Sequence, residues 1–512
     1  MSSPIANFQL FIVYYFPDFY NDKEVLMNWS WNIENEDFLT KTVERCKDKN
    51  ILLPTFSQLK HPNRISNEIQ NELKDVDIQA LHPLNLFRIN WRNNPATGGI
   101  GDINYLEIPK EITGVNARIV GLVGKHFPTG AHKVGATYGC LAPYMVTGRF
   151  NPDFHKAVWP STGNYCRGGV FNSNLLGVHS VAILPEEMSK ERFDWLRERT
   201  DEVYATPGCE SNVKEIYDKC HELVAESDKY LIFNQFDQFG NSIWHYEITG
   251  YTIEKLFNQI KNGNQRLSGY VSATGSAGTI AAGDYLRTIT KNLKVVASEA
   301  LQCPTLLNNG FGGHRIEGIG DKHVPWVHNV KNTDAVAAID DEDAMRLFRL
   351  FNEKEGHNYL ASVGVDKNTI DHLHLLGISG IGNLLSSIKL AKNFEFNDND
   401  VIFTVFTDSA DMYLSRLEEM NIANGPFTQM DAAKIFESSL QRLSIDHFKE
   451  LTYHDKKAIH NLKYFTWIEQ QGKDVEELNA QWYDENYWPE RFGVVPEWDR
   501  LIDEFNAKVT NK

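Results

Sequence analysis

The strongest constraint on the fold is an alternation of short apolar runs with amphipathic stretches of helical length. Gly269 to Ala273, for example, precedes the amphipathic stretch Ile280 to Thr290. Further apolar runs are Ala117 to Val123, Val181 to Leu184, Val295 to Ala297 and Val401 to Phe406. Short strands that alternate with helices build parallel βαβ units. The sequence therefore predicts an α/β fold with an open sheet, in which ligands bind at the carboxyl ends of the strands.

The two ends of the chain differ from this middle section. Residues 1–103 mix polar and aromatic segments, with helical periodicity at Asp37 to Asp48 and Ile65 to Lys74. After residue 418 the segments are helical, acidic and aromatic. We predict an N-terminal extension over 1–103, a core over 104–418 and a helical C-terminal extension over 419–512. Four tryptophans of the last part are too apolar to leave in water, so we expect it to pack on the core or at a subunit interface: Trp467, Trp482, Trp488 and Trp498.

Composition excludes several classes of protein. The 512 residues carry 51 basic and 68 acidic side chains, a net charge of −17, which argues against a nucleic-acid partner. The six cysteines form no C-x-x-C pair, so we expect no disulfide framework, no metal site and a reducing cytoplasm. No apolar run approaches the roughly 20 residues of a membrane span. The run Phe8 to Phe16 lacks a basic flank and is interpreted as a buried strand or helix.

Two polar turns carry candidate chemistry in the first half of the core. Pro128 to Lys133 is a glycine-containing turn that places Lys133 near a helix start, where a lowered pKa favours the neutral amine that forms imines. Ser161-Thr162-Gly163-Asn164 follows the apolar run Ala157 to Trp159, and its hydroxyls and amides could hold a carboxylate. Taken singly, an ordinary surface lysine and an ordinary helix cap are the commoner interpretations.

Two more turns follow strands in the second half. Gly275-Ser276-Ala277-Gly278-Thr279 lies between a predicted strand and helix, where small residues let backbone N–H groups approach a phosphate. Thr407-Asp408-Ser409 ends the last predicted strand and offers a hydroxyl to a heteroaromatic nitrogen, although, taken in isolation, a plain strand-end turn is the commoner interpretation. The alternative of a Walker phosphate loop at Gly124-Lys125 fails, because Ile119 occupies the required glycine position.

In this order, the four turns resemble motifs of fold-type II pyridoxal-phosphate enzymes, in particular the cysteine synthase and cystathionine β-synthase group. Pro128 to Lys133 resembles that family's Pro-Thr-Gly-Ser-x-Lys, and its Gly-Ala-His-Lys form is similar to the tryptophan synthase β chain. Ser161 to Asn164 resembles the Thr-Ser-Gly-Asn substrate loop, and Gly275 to Thr279 resembles Gly-Thr-Gly-Gly-Thr. Asp408-Ser409 with Tyr413-Leu414-Ser415 resembles Ser-Gly-Glu-Arg-Tyr-Leu-Ser.

Three further stretches extend the resemblance over residues 104–418. They are Asn234-Gln235-Phe236 with His245 to Gly250, His314 to Gly320, which resembles His-Lys-Ile-Gln-Gly-Ile-Gly, and Gly377-Ile378-Ser379, which resembles Gly-Ile-Ser. The resemblance implies two open, twisted, mostly parallel-sheet subdomains, the smaller at approximately 140–245. It also implies pyridoxal 5'-phosphate as cofactor, a small amino-acid substrate and a homodimer.

The resemblance assigns roles to individual residues. Lys133 would hold the cofactor and later move the substrate α-proton. Asn164 would contact the ring hydroxyl, and Ser409 would face the ring nitrogen. The phosphate would bind at Gly275, Ser276, Ala277, Gly278 and Thr279, and the substrate carboxylate at Ser161, Thr162, Gly163 and Gln235.

The predicted reaction is β-elimination or β-replacement through an aminoacrylate intermediate, as in a lyase or synthase. A neutral hydroxyl at the ring nitrogen makes the cofactor a weaker electron sink than a carboxylate would, which suits loss of a β-substituent. One alternative is an ammonia-lyase of the serine/threonine dehydratase or diaminopropionate type. Another is a non-catalytic binding scaffold, which would not need Lys133, Asn164 and Ser409 together.

The pattern departs from the family beside the substrate loop. Tyr165 and Cys166 stand where the family has small residues, which should reshape the pocket or place a thiol beside it. The Glu-x-Gly-Ala-Gly-Gln-His-Gly stretch of the tryptophan synthase β chain is absent at 160–168, which disfavours indole chemistry.

Overall fold

The computed structural model describes residues 31–161, 163–209, 212–319 and 322–511. The apolar run Phe8 to Phe16 and the substrate-loop residue Thr162 therefore lie outside the described residues. Ile33–Lys512 belongs to one folded unit.

Eleven strands are present in the described part of the chain. They are β1 (Tyr105–Ile108), β2 (Arg118–Val123), β3 (Lys156–Pro160), β4 (His179–Pro185), β5 (Glu202–Thr206), β6 (Tyr230–Ile232), β7 (Arg266–Ala273), β8 (Lys294–Ala300), β9 (Ala335–Ile339), β10 (Asp400–Phe406) and β11 (Phe448–Glu450).

These strands form two sheets. The larger has seven strands in the order β1-β2-β10-β7-β8-β9-β11, with parallel pairing from β2 to β9 and one antiparallel strand at each edge. The smaller has four parallel strands in the order β5-β4-β3-β6. The prediction of an α/β fold with two open, mostly parallel sheets is confirmed. The subdomain and extension boundaries stay predictions, and β11 lies beyond residue 418.

The helices that cover the sheets follow in chain order. The first group is α1 (Glu36–Asp48), α2 (Phe56–Lys60), α3 (Asn67–Leu73), α4 (Lys110–Thr113), α5 (Lys133–Val146), α6 (Asn164–Leu175), α7 (Lys190–Arg197), α8 (Val213–Glu226), α9 (Phe239–Trp244), α10 (Tyr251–Ile260) and α11 (Ala281–Ile289). The second is α12 (Thr305–Asn308), α13 (Asp341–Asn352), α14 (Lys354–Ser362), α15 (Lys367–His372), α16 (Ile378–Asn393), α17 (Leu414–Asn424), α18 (Gln429–Ile435), α19 (Tyr453–Lys463), α20 (Val475–Tyr483), α21 (Tyr487–Phe492) and α22 (Val495–Thr510).

The segments at the two ends of the chain pack together. The side chain of Trp498 in α22 is 1% exposed, and its ring lies 5.2 Å from that of Phe56 in α2. The carboxylate of Asp499 accepts hydrogen bonds from the backbone amides of Phe56 and Ser57, at 2.6 and 2.9 Å. The expected burial of the C-terminal tryptophans is confirmed, because the other three are also at most 8% exposed: Trp467, Trp482 and Trp488.

Within the described residues, no single helix is long and apolar enough to cross a membrane. One pair of helical segments, Lys367–Leu375 and Ile378–Asn393, passes a test of length and composition when joined, with a bend of 120° between them.

Removal of the Trp498 ring should open a cavity between the two ends of the chain. We expect Trp498→Ala to lower the free energy of unfolding by about 3–5 kcal/mol. Tyr483→Ala is a matched control, because Tyr483 is a large aromatic residue that is 66% exposed; its effect should stay within about 0.5 kcal/mol. Urea denaturation measures both, and equal losses would contradict the packing described.

Glu299 gives the fold a pH dependence. Its side chain is 1% exposed and accepts backbone hydrogen bonds from Leu306 and Leu307, both at 2.9 Å. Burial raises the pKa of Glu299 from 4.5 to about 7. The folded state thus favours the protonated acid, and this contribution to stability is complete below pH 4.5 and is lost as the pH rises through 7.

Glu299→Gln should remove that pH dependence. The variant loses one hydrogen-bond acceptor at every pH, but it carries no carboxylate to ionise at high pH. We expect its stability relative to the unaltered protein to improve by about 3 kcal/mol between pH 4.5 and 8. Urea denaturation at the two pH values measures the shift, with the exposed Glu72→Gln as control. A difference that is independent of pH would contradict the prediction.

Candidate active site

One cavity lies where turns from both sheets meet. The large sheet contributes residues that follow β2, β7, β8 and β10, and the small sheet contributes residues that follow each of its four strands. The described residues that line the cavity are Lys133, Ser161, Asn164, Tyr165, Arg192, Val213, Gln235, Phe236, Gly275, Ser276, Gly318 and Thr407. Ligand sites in open parallel sheets form at this edge, the carboxyl ends of the strands.

Lys133 is the first residue of α5, as its turn predicted. Its Nζ donates a hydrogen bond to the hydroxyl of Ser276 at 2.9 Å, so the amine faces the glycine-rich loop across the cavity. The start of α5 packs closely on α6, where Asn172 donates to the carbonyl of Val134 at 2.7 Å. This packing fixes the direction in which Lys133 leaves the helix.

The loop from Gly275 to Thr279 runs directly from β7 toward α11. Asn241 donates to the hydroxyl of Ser276 at 3.1 Å, and its buried Oδ1 accepts no hydrogen bond within the described chain. A Cβ at Gly278 would lie 2.0 Å from that Oδ1, so the loop needs a glycine there. Ala277 adopts the left-handed conformation (φ 54°), which costs free energy for a residue other than glycine. The loop therefore has a strained backbone at Ala277 and lies beside Asn241, whose Oδ1 can still accept a hydrogen bond.

The substrate loop follows β3. Gln235 donates to the hydroxyl of Ser161 at 2.9 Å, and the backbone amide of Gly163 donates to the same oxygen at 3.4 Å. Gly163 has φ 151°, within the region that favours glycine. The predicted partners Ser161, Gly163 and Gln235 therefore lie together, and Thr162 lies outside the described residues.

Asn164 begins α6 and connects the two sheets. Its Nδ2 donates to Asp408 at 2.6 Å, and Tyr413 donates to the same carboxylate oxygen at 2.6 Å. Burial raises the pKa of Asp408 above its ordinary value. The Oδ1 of Asn164 is buried and accepts no hydrogen bond from a described residue. It is free to accept one from a ring hydroxyl.

Three hydroxyl groups lie near the end of β10 and the start of α16. Ser409 is 2% exposed but does not line the cavity among the described residues, whereas Thr407 does. Thr407 Oγ1 lies 3.3 Å from Nε2 of His132. Ser379 is 1% exposed, its Oγ has no hydrogen-bond partner in the described chain, and it lies beside the lining residue Gly318. The role predicted for Ser409 at the ring nitrogen stays a prediction, and Ser379 is a second candidate.

The two residues after Asn164 differ in their effect on the cavity. Tyr165 lines the cavity, and its hydroxyl donates to the sulfur of Cys140 at 3.4 Å. Cys166 is completely buried, and burial raises the pKa of its thiol to about 12. Tyr165 therefore shapes the pocket, while Cys166 packs in the interior as an unreactive thiol.

Sequence reasoning missed one cationic residue of the cavity. Arg192 lies in α7, where no sequence motif marks a functional residue, and its side chain is 1% exposed. Its Nη1 lies 2.8 Å from Glu317 Oε2, and its Nη2 donates to the hydroxyl of Tyr413 at 3.0 Å. The pattern of apolar residues did not indicate this position, because such patterns assign charged residues to the exposed face of a helix and Arg192 is buried.

The polar groups around the cavity fit pyridoxal phosphate. Lys133, Asn164, Gly275 and Ser276 line the cavity, and the unpartnered Oγ of Ser379 lies beside the lining residue Gly318. An amine, an amide oxygen, the backbone N–H groups of a loop of small residues and a hydroxyl suit the aldehyde, ring hydroxyl, phosphate and ring nitrogen of that cofactor. No group of three or more potential metal ligands occurs among the described residues.

Several known proteins are similar to this chain in sequence or in fold. A probable cysteine synthase of Bacillus subtilis is 26% identical over 289 residues, 56% of this chain and 85% of that protein. Cysteine synthase B of Campylobacter jejuni is 28% identical over 241 residues, 47% of this chain and 71% of that protein. The crystal structure of O-acetyl serine sulfhydrylase isoform 3 from Entamoeba histolytica shares the fold, with a TM-score of 0.54 and 21% identity over 66% of this chain and 92% of that one.

The family model described as "Pyridoxal-phosphate dependent enzyme" matches residues 103–362, just over half of the chain. This range includes Lys133, the substrate loop and the glycine-rich loop. The chain belongs to the family of pyridoxal-phosphate-dependent enzymes.

Proposed function

We propose that this chain catalyses β-elimination or β-replacement on a small L-α-amino acid. The observation that carries the proposal is the meeting of Lys133, the loop Gly275 to Thr279 and the loop around Ser161 at one cavity. Bound pyridoxal phosphate supplies an electron-withdrawing ring that stabilises negative charge at the substrate Cα. The reaction then needs a base near Cα, hydrogen-bond donors to the substrate carboxylate and space for the leaving group.

Lys133 is proposed as the residue that holds the cofactor and, once its amine is free, as the base. The amine hydrogen-bonds to Ser276 at 2.9 Å, which supports a position beside the phosphate loop. Its rigid placement at the start of α5 orients it toward a substrate bound at the opposite loop. As base, Nζ takes the proton from Cα while the bond from Cβ to the leaving group breaks.

The substrate carboxylate is proposed to bind at Ser161, Thr162, Gly163 and Gln235. Gln235 already contacts the hydroxyl of Ser161, which supports a joint site in which amide, hydroxyl and backbone N–H groups all donate. Such donors at a strand-to-helix turn suit a carboxylate. They would fix Cα so that its proton points at Lys133.

A neutral hydroxyl at the ring nitrogen is proposed to select elimination. Ser379 and Ser409 are the candidates, and the buried, unpartnered Oγ of Ser379 favours Ser379. A hydroxyl does not stabilise a protonated ring as a carboxylate would, so negative charge at Cα is short-lived and the β-substituent leaves promptly.

The two outcomes differ after the leaving group departs. Addition of a nucleophile at Cβ returns an amino acid, whereas addition of water releases a keto acid and ammonia. The similarity to a probable cysteine synthase and to cysteine synthase B supports the first outcome. Assays for keto acid and for a new amino acid separate β-replacement from the ammonia-lyase alternative.

We also propose a homodimer located in the cytoplasm. The resemblance to cysteine synthases supports the dimer, and six cysteines that form no disulfide support a reducing compartment. Light scattering after size exclusion measures the first, and fractionation of the cell measures the second.

Lys133→Ala should abolish turnover. We expect sodium borohydride to attach the cofactor covalently to Lys133 in the unaltered protein, detectable as a mass increase on the peptide that contains this residue. The variant should show no such adduct and lose at least about 10³-fold in kcat. Lys125→Ala is the control, because Lys125 lies eight residues earlier and pairs with Asp411 at 2.7 Å. An adduct on another lysine would refute the assignment.

Ser379→Ala and Ser409→Ala should differ. If Ser379 bonds the ring nitrogen, its loss should change the absorption maximum of the bound cofactor and lower kcat by about 10- to 100-fold. Ser409→Ala should change neither. The opposite result would assign the role to Ser409, as the sequence motif alone predicts.

A further inference from the structure

Asp408 is a buried acid beside the cavity to which the proposed function assigns no role. It stands between the lining residue Thr407 and Ser409, and it is fully buried. The backbone amide of Gly377 donates to the carbonyl of Asp408 at 3.1 Å. A Cβ at residue 377 would lie 1.8 Å from Asp408 Oδ1, so a glycine is needed there to leave room for the carboxylate. The start of α16 is therefore shaped to accommodate an acid at position 408.

The hydrogen bonds that lead to Asp408 have a fixed direction. A guanidinium has only donors, so the hydroxyl oxygen of Tyr413 accepts from Arg192 Nη2, at 3.0 Å. The single proton of that hydroxyl is donated to Asp408 Oδ2 at 2.6 Å. Asn164 contacts the same carboxylate oxygen at 2.6 Å, and because such an oxygen accepts, the contact uses the NH2 group of the Asn164 amide. One end of that amide is thus anchored.

Charged neighbours support the ionised form of Asp408. Burial raises the pKa of this acid above its ordinary value, while the hydrogen bonds that it accepts and the positive charge of Arg192 limit the rise. Glu317 also raises this pKa, but its own carboxylate pairs with Arg192 at 2.8 Å. A second cation, Arg167, interacts with Asp408 as well. Two arginines therefore favour a carboxylate that accepts hydrogen bonds.

The other end of the Asn164 amide remains available to a ligand. Asn164 lines the cavity, whereas neither Asp408 nor Tyr413 does so among the described residues. Its Oδ1 is buried and accepts no hydrogen bond from a described residue. A ring hydroxyl that bonds to this oxygen has to donate and therefore keeps its proton. An amide turned the other way would present N–H groups and would favour an ionised ring oxygen instead.

We propose that Asp408 is a positioning residue that anchors the NH2 group of Asn164, so that the amide oxygen accepts a hydrogen bond from the ring hydroxyl of the cofactor. This inference rests on the proposed function, including the predicted contact between Asn164 and the ring hydroxyl, and deepens it. The consequence is a bias toward the protonated hydroxyl. An ionised oxygen would release electron density into the ring, so the protonated form keeps the ring more electron-withdrawing.

The experiment measures the protonation state of the bound cofactor directly. Pyridoxal phosphate with a protonated ring hydroxyl absorbs at shorter wavelength than the form with an ionised ring oxygen. The ratio of the two absorption bands is recorded for each cofactor-loaded variant at one pH, together with the dissociation constant of the cofactor and the thermal stability. This readout does not require turnover.

Asn164→Ala tests the direction of the contact. Loss of an acceptor should disfavour the protonated hydroxyl, so we expect the ratio of the ionised to the protonated form to rise by about 3- to 10-fold. Loss of a donor would lower that ratio. A lower ratio in Asn164→Ala would therefore overturn the proposal.

Variants of Asp408 test the anchor. Asp408→Ala should raise the ratio as Asn164→Ala does, because the amide is no longer held, and it should add no further shift in the Asn164→Ala background. Asp408→Asn keeps an acceptor oxygen for Asn164, so its ratio should stay within about 2-fold of the unaltered protein. Asp408→Leu, which has no acceptor, gives the same test if Asp408→Ala fails to fold.

Asp400→Ala is the matched control. Asp400 is the first residue of β10, is 1% exposed and pairs with Arg266 at 2.6 Å, so its loss removes another buried carboxylate from the same strand. It should lower thermal stability and leave the band ratio unchanged. An unchanged ratio in a folded, cofactor-loaded Asp408→Ala or Asp408→Leu, or an equal shift in Asp400→Ala, would overturn the proposal. A protein that shows the expected shifts but turns over no amino acid would support this proposal and contradict the proposed function.

Discussion

Parallel pairing of β2, β10 and β7 is the constraint on which the site depends. β2 and β10 are in register to their last residues, with Val123 opposite Phe406, and β7 runs parallel on the other side of β10. Parallel neighbours end at the same edge of a sheet. The turn to Lys133, the loop from Gly275 and the hydroxyl of Thr407 are therefore brought together although they are far apart in sequence. A one-residue slip between β2 and β10 would turn their side chains to opposite faces and displace Lys133.

The four-stranded sheet contributes the substrate loop, which the seven-stranded sheet does not contain. Its strand β3 delivers the substrate loop, and the buried contacts of Asn164, Asp408, Tyr413 and Arg192 tie that loop to the large sheet. The hydrogen bonds among these groups are 2.6 to 3.0 Å long. Removal of one member would leave a buried polar group without its partner, which costs more than the net value of one hydrogen bond. The geometry between cofactor and substrate residues thus depends on a polar network that crosses between the sheets.

Much of this could be predicted from the sequence, because strands and glycine turns have local signals. The apolar runs Ala117 to Val123 and Val401 to Phe406 agree with the observed bounds of β2 and β10 to within one residue. The four turns follow the ends of strands, as predicted. Arg192 could not be found in this way. Its significance depends on burial beside Glu317, a residue 125 positions away, and helical periodicity treats a charged residue as exposed. Ser379 was noticed as part of a motif, but only its buried, unpartnered hydroxyl indicates a role.

Segments near the C-terminus contact the residues that surround the cavity, although they are far from it in sequence. Lys463 is fully buried, and its amine donates to the carbonyls of Trp326 and His328 and to Gln481, at 2.9, 2.7 and 2.7 Å. Between those carbonyls, the amide of Val327 donates to the carbonyl of the cavity residue Phe236 at 3.3 Å.

Burial lowers the pKa of Lys463 well below its ordinary value, so the three acceptors are what make a buried amine tolerable. A second lysine of this region, Lys473, pairs at 3.0 Å with Asp237, which follows Phe236 directly. Residues beyond 418 therefore support the wall of the cavity, through backbone acceptors bound by Lys463 and through the ion pair of Lys473. Backbone acceptors carry no residue-specific signal, and for this reason the motifs of the core gave no indication that the last segments of the chain contribute to the site.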